Sequence, residues 1–281
     1  MSGLNGLSGP GSQPSGEDGA ELVYMEMPKG MRTYSMPEVP EKDEAEAFRP
    51  ALAKLEEVLA ALRTAPPSGT TLETGLDALD KANRDFIGQL LGEGEVSIIA
   101  GASIQAQESV LAGVWRIYEV DASGKLAGDR IEVGEFPASV LEAAQEAAGS
   151  QLRPVDGAAD PNLMNAPSIA TELAEKLQAY RLGNAAHVIN LSLLPLTGED
   201  GDYLERRLGH GAVTVLSRGY GNCRISSTAV KNAWRVRYFN SREAVILDTI
   251  EVARIPAVAC AAKEDLEDSA QRLDEILGVY R

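Results

Sequence analysis

The sequence predicts an α+β fold that arose by internal duplication. Two similar α-β-α units each continue into an antiparallel meander and pack pseudo-symmetrically. The first observation behind this prediction is a repeated phrase, LGEGEV at 91–96 and LGHGAV at 208–213. The second is that both tryptophans of the chain, Trp115 and Trp234, are followed by arginine. Short matches of this kind become informative when several occur in the same order, which points to a duplicated unit.

A third match fixes the spacing of the two copies. IEVGEFPA, which starts at Ile131, resembles IEVARIPA, which starts at Ile250, with five identities in eight positions. The distance from Trp115 to Ile131 equals the distance from Trp234 to Ile250. Equal spacing over several segments favours duplication over chance similarity.

The domain boundaries follow from this register. We expect a flexible Gly/Pro/Met-rich arm over 1–44 and a first repeat subdomain over 45–148. A linker over 149–164 and a second repeat subdomain over 165–281 complete the chain. The joint contains three prolines between 151 and 167 and lacks periodicity, as is typical of a linker.

Each copy predicts the same order of elements. A helix with leucines on one face opens the first copy over 49–63, and a short extended piece follows. A second helix ends at the glycine of the repeated phrase, and branched residues then predict strands. We expect the helices to cover one face of the sheet. In the last strand, Ile131 and Val133 then point inward and Glu132 outward, and Glu251 is expected outward in the second copy.

The doubled G-x-G phrase is interpreted as a helix end that leads into a strand. A phosphate-binding loop runs from strand through glycines to helix, so that the helix N-terminus faces the phosphate. Here the order is helix, glycines, strand, and neither a third glycine nor G-K-[ST] follows. The phrase therefore indicates a fold unit that was copied.

Composition narrows the class of protein. The net charge of −16 disfavours binding to nucleic acid, and the sequence contains no clustered Lys/Arg segment. No apolar run reaches the length of a membrane helix, and the N-terminal residues do not resemble a secretory signal. Two cysteines cannot build a disulfide framework. We expect a cytoplasmic protein that is not inserted in a membrane.

Reactive side chains are few. His187 is interpreted as a packed strand residue and His210 as an exposed turn residue, although either could act as a base. Cys223 is expected to be an ordinary thiol and Cys260 a buried one. Because neither a known catalytic motif nor metal-ligand spacing is present, we expect no catalytic residues, no cofactor and no metal site. An alternative is a thiol-dependent redox or cluster-handling enzyme that uses Cys223, with His210 as a possible helper.

Two segments instead suggest partner binding. In the arm, four methionines are interleaved with Tyr24 and Tyr34, and methionine suits adaptable surfaces. An equally simple interpretation is that this arm docks on its own protein. In the loop SRGYGNCRI at 217–225, a tyrosine stands between glycines and could recognise a partner or simply form a tight turn. The predicted contact residues are Tyr24, Met25, Met27, Met31, Met36, Gly219, Tyr220 and Gly221.

With these phrases in place, the chain resembles the HupH/HyaF family of hydrogenase expression/formation proteins. The resemblance rests on GPGSQP at 9–14, LMN at 163–165, LLGEGEVS at 90–97 and RGYGN at 218–222. The paired VWR and AWR motifs and the closing EDLEDSAQRL add to it, so that nearly the whole chain is covered. The order and spacing of these motifs carry the resemblance.

The resemblance implies an accessory protein, or chaperone, for maturation of a membrane-bound uptake nickel–iron (NiFe) hydrogenase. Its implied partner is the iron–sulfur small-subunit precursor before export, and other hydrogenase accessory proteins are further candidates. It implies no catalytic residue set. A scaffold that joins other maturation factors is a second alternative.

Overall fold

The computed structural model describes residues 46–64, 66, 70–146, 148–154, 162–218 and 221–281. The helices in these ranges are α1 Arg49–Thr64, α2 Lys81–Leu91, α3 Ala138–Glu146, α4 Ala166–Ala179, α5 Gly198–Leu208 and α6 Lys263–Gly278. The strands of the first half are β1 Leu72–Gly75, β2 Val96–Ala100, β3 Ile104–Glu108, β4 Val114–Val120 and β5 Leu126–Val133. Those of the second half are β6 His187–Asn190, β7 Val213–Ser217, β8 Asn222–Ser227, β9 Ala233–Phe239 and β10 Val245–Val252.

All ten strands form one antiparallel sheet, in the order β1-β5-β4-β3-β2-β7-β8-β9-β10-β6. The two halves meet where β2 pairs with β7, with Ile98 opposite Val215. From either edge the strands run in the same sequence of first, fifth, fourth, third and second strand of the half. The two halves therefore share one sheet.

The repeated glycines end a helix and admit a close backbone contact. Gly92 and Gly209 follow α2 and α5 with φ of 58° and 61°, a conformation that glycine adopts without strain. A Cβ atom on Gly94 would lie 2.3 Å from the carbonyl oxygen of Ser109, and one on Gly211 would lie 2.2 Å from Oγ of Ser227. The structural interpretation of the G-x-G phrase is therefore confirmed.

Helices cover both faces of the sheet, so the expectation that they cover one face is wrong. On one face, α1, α2 and α6 pack over Val114, Ile131 and Val133 of the first half. On the same face, α4 and α5 pack over Ile250 and Val252 of the second half. We call this the helix-pair face. On the opposite face α3 covers a central core. One continuous sheet with apolar side chains on both faces needs a cover on each.

The central core brings the two tryptophans together. Trp115 is fully buried and Trp234 is 2% exposed, and both belong to the cluster under α3 that includes Phe136 and Val140. Each indole N–H donates to a backbone carbonyl, that of Gly134 or of Arg254. Both rings are therefore core residues.

The expectation that Glu132 points outward is wrong, because α3 covers the face on which it lies. Glu132 lies on the face opposite Ile131, where α3 leaves it 2% exposed. Its carboxylate accepts hydrogen bonds from Arg130 and from the backbone N–H of Ser139 at the start of α3. The matching Glu251 is half-buried, and burial raises its pKa.

Candidate partner-binding surface

The middle of the helix-pair face presents two matched rows of side chains. In the first half the row crosses β2, β3, β4 and β5 and consists of directly opposed neighbours. The second-half row crosses β7, β8, β9 and β10 in the same manner. The first-half row is Ile99, Gln105, Tyr118 and Asp129, and the second-half row is Leu216, Arg224, Arg237 and Asp248.

Both rows end on an aspartate that is held by an arginine. Arg116 donates to both oxygens of Asp129 at 2.5 and 2.6 Å, and Arg235 donates to both oxygens of Asp248 at 2.9 and 2.7 Å. The side chains of the first pair are 10% and 3% exposed, and those of the second pair are 18% and 18% exposed. Bidentate pairs of this kind fix the guanidinium plane and neutralise the charge. The two aspartates are therefore already used within the fold.

The middle of the second-half row is cationic. Arg224 and Arg237 lie directly opposite each other on β8 and β9, and both are half-buried. Within the described ranges, neither guanidinium forms a hydrogen bond or an ion pair. Arg224 lies 5.6 Å from the ring centroid of Phe239. Two positive charges therefore lie on this face between two strands, without a carboxylate bound to them in the described part of the chain.

The structure separates the residues of the thiol hypothesis. Cys223 is 4% exposed and lies on the face that α3 covers, and burial raises its pKa to about 11. His210 is exposed at the opposite end of the β7–β8 hairpin, where its ring lies 3.3 Å from a carboxylate oxygen of Glu205. A reactive cysteine needs a lowered pKa and a nearby base. The arrangement of Cys223 supplies neither.

The other two reactive residues considered from the sequence, His187 and Cys260, do not form a metal site with the described residues around them. His187 lies in the edge strand β6 and contacts a carboxylate oxygen of Glu172 at 2.7 Å. Cys260 is half-buried, and burial raises its pKa to about 12. Among the residues that the structure describes, no group of His, Cys, Asp and Glu could hold a metal ion. In the same part of the chain, no helix is both long and apolar enough to cross a bilayer.

Most of the predicted contact residues lie outside the described residues. This applies to Tyr24, Met25, Met27, Met31, Met36, Gly219 and Tyr220. Gly221 is described: it is exposed at the start of β8, with a φ of +99° that favours glycine. The role of these residues in partner binding stays a prediction.

The arginine pair does not form a Lys/Arg cluster in the linear sequence, so it was not among the predicted contact residues. Arg224 and Arg237 are thirteen positions apart and meet only through the register of β8 and β9. The available signal was the alternation in AWRVRYF, which places Arg235 and Arg237 on one face of a strand. A third arginine, Arg224, lies in the preceding strand β8 and completes that signal.

Comparison with known proteins shows the family to which this chain belongs. The family model described as "HupH hydrogenase expression protein, C-terminal conserved region" matches the chain twice, over 37–156 and over 163–280. The chain belongs to this family. The double match also agrees with the repeat that the sequence predicts.

Curated relatives are similar over nearly their whole length. The hydrogenase expression/formation protein HupH of Rhodobacter capsulatus is 47% identical over 97% of this chain and 96% of its own. HoxQ of Cupriavidus necator, with the same description, is 45% identical over 96% and 95%. The hydrogenase-1 operon protein HyaF of Escherichia coli is 32% identical over 96% and 94%.

Proposed function

We propose that this chain is an accessory protein of nickel–iron hydrogenase maturation. It binds the iron–sulfur small-subunit precursor in the cytoplasm, before export, and shields it. The observation that carries the proposal is its 47% identity, over 97% of the chain, to a protein named for hydrogenase expression and formation. The thiol alternative loses support, because the pKa of Cys223 is raised and His210 lies at the far end of the hairpin.

The duplicated scaffold suits a holding role. We propose that the halves are related by a pseudo-twofold axis between β2 and β7. Matched local contacts support this relation: Ser109 Oγ donates to the carbonyl of Leu111, as Thr228 Oγ1 does to that of Val230. Two related halves in one sheet offer a broad face to a client protein without requiring a reaction centre.

The proposed contacts include the arm and the loop predicted from sequence. For the arm, a variant with Met25, Met27, Met31 and Met36 changed to serine tests the contact, because serine removes the polarizable side chain. Met164, which is 62% exposed outside the arm, provides the matched control when it is changed to serine. For the loop, Tyr220→Ala is the corresponding variant. We expect reduced client recovery with the arm and loop variants and unchanged recovery with Met164→Ser.

A pull-down from a hydrogenase-producing strain tests the function. The tagged full-length chain serves as bait, and the eluate is analysed by mass spectrometry and assayed for iron. Recovery of the small-subunit precursor with its export signal intact is the expected result, and the iron content distinguishes binding before cluster insertion from binding after it. Recovery of no hydrogenase subunit would contradict the proposal.

A strain that lacks the small subunit separates client binding from a scaffold role. If the chain binds the precursor directly, other accessory proteins should be lost from the eluate of that strain or strongly reduced. Undiminished recovery of those proteins would instead favour the scaffold that joins maturation factors.

A further inference from the structure

The second-half row holds two arginines that form no hydrogen bond or salt bridge with any carboxylate among the residues that the structure describes. Asp248 lies directly opposite Arg237, but both of its oxygens accept hydrogen bonds from Arg235. Glu205 of α5 is near enough to act on Arg237 electrostatically, but no hydrogen bond or salt bridge joins the two side chains. Among the described residues, the surrounding acids therefore leave the guanidinium of Arg237 without a hydrogen-bonded carboxylate.

The first half shows that the fold does not need this pair. At the equivalent places on β3 and β4, Gln105 and Tyr118 lie directly opposite each other, and both are neutral. The flanking Arg116–Asp129 pair has the same form as in the second half. Because one half folds with a neutral pair in the same register, the arginines are not a requirement of the strand pairing.

Two like charges directly opposite on neighbouring strands disfavour folding. Burial, together with the neighbouring charges of Arg235 and Arg224, lowers the pKa of Arg237. The same two charges are suited to an anion, because guanidinium groups bind carboxylates through paired, charge-assisted hydrogen bonds. A bound carboxylate would relieve the repulsion between Arg224 and Arg237.

We propose that Arg224 and Arg237 bind a carboxylate-bearing segment of a partner protein laid across β8 and β9. Leu216 and Ile99, half-buried in the central strands of the same face, supply apolar contacts beside the charges. Placing an acidic segment of the small-subunit precursor here deepens the proposed function and rests on it.

A protein segment fits this row better than nucleic acid does. A long polyanion would be repelled by a chain of net charge −16. A short acidic segment places its few carboxylates on the arginines and leaves the neighbouring acids uncontacted. Its apolar side chains can lie on Leu216 and Ile99.

The test exchanges the pair for the residues of the first half. Dissociation constants of the full chain are measured for two probes, the purified small-subunit precursor and a fluorescein-labelled hexaglutamate peptide. The variant Arg224→Gln with Arg237→Tyr is compared with Lys231→Gln with Arg242→Gln, which removes two charges from exposed turn positions. A third variant, Arg224→Lys with Arg237→Lys, keeps the charge but loses the paired hydrogen-bond geometry.

We expect the exchange to weaken binding of both probes at least about tenfold, and the turn variant to change it less than about threefold. The lysine variant should fall between them. Tight precursor binding that the exchange leaves unchanged would overturn the inference while the proposed function stands. If the wild-type chain binds the peptide through these arginines but not the precursor, the proposed function fails and the carboxylate site stands.

A nucleic-acid outcome is tested in the same assay. A single-stranded DNA oligonucleotide that binds at physiological salt more tightly than hexaglutamate, and is lost with the exchange, would overturn the assignment to a protein segment. Circular dichroism melting of each variant confirms that it is folded. The exchanged residues already occupy the matching places of the first half, so we expect the fold to be kept.

Discussion

The two halves of the sheet carry the same framework and different surfaces. Each half keeps a tryptophan in the central core and an arginine–aspartate pair at the end of its row. Between these fixed points the first half has Gln105 opposite Tyr118, and the second has Arg224 opposite Arg237. The residues that the two halves share stabilise the fold. The residues that differ between the halves are the ones that can acquire a binding function.

Replacing either tryptophan is expected to lower the stability of the protein more than any other substitution considered below. Trp115→Ala and Trp234→Ala should each lower the free energy of unfolding by about 3–5 kcal/mol, because both rings fill the core under α3. Urea denaturation of the two variants measures the loss. A large loss for one ring and none for the other would show that the halves do not share this core.

Breaking the arginine–aspartate pair should destabilise the protein more in the first half than in the second, because the first pair is more buried. Asp129→Asn should cost about 3 kcal/mol, since it leaves the buried charge of Arg116 without its partner. Asp248→Asn should cost about 1–2 kcal/mol, because both members of its pair are more exposed to water. Denaturation midpoints at constant slope check the order. A greater loss for Asp248→Asn would contradict the burial argument.

The second glycine of each phrase should be intolerant of a side chain in both halves. Gly94→Ala and Gly211→Ala should each destabilise by about 1–3 kcal/mol, because the added Cβ meets Ser109 or Ser227. Gly88→Ala and Gly201→Ala are the matched controls, since their Cβ atoms meet nothing within 4 Å in α2 and α5. These controls should stabilise by up to about 1 kcal/mol. Equal effects at all four sites would refute the close contact.

The half-buried Glu108 gives the first half a pH-dependent stability. Burial raises the pKa of Glu108 to about 7, and the neighbouring acids Asp265 and Glu95 add to the shift. The stabilisation from its protonated form is present below the ordinary glutamate pKa and is lost as pH rises through about 7. Relative to Glu108→Gln, the wild-type free energy of unfolding should fall by about 1–2 kcal/mol between about pH 6 and pH 8. Parallel pH profiles for the two proteins would contradict this assignment.

Local pattern predicted much of the fold and little of the surface. The strand around Trp234 and the ends of the helices at glycine could be predicted from sequence, because both depend on residues that are close together in the chain. The joining of β2 to β7 was not, since branched strands such as VSIIA are compatible with several neighbours. The burial of Glu132 depends on where α3 lies, and the Arg224–Arg237 pair depends on the register between strands.

The most direct test of the account is calorimetric titration of the purified full-length chain with the purified small-subunit precursor and, separately, with the large subunit. The account predicts saturable binding of the precursor and much weaker binding of the large subunit. Binding of the large subunit with no detectable binding of the precursor would contradict the account.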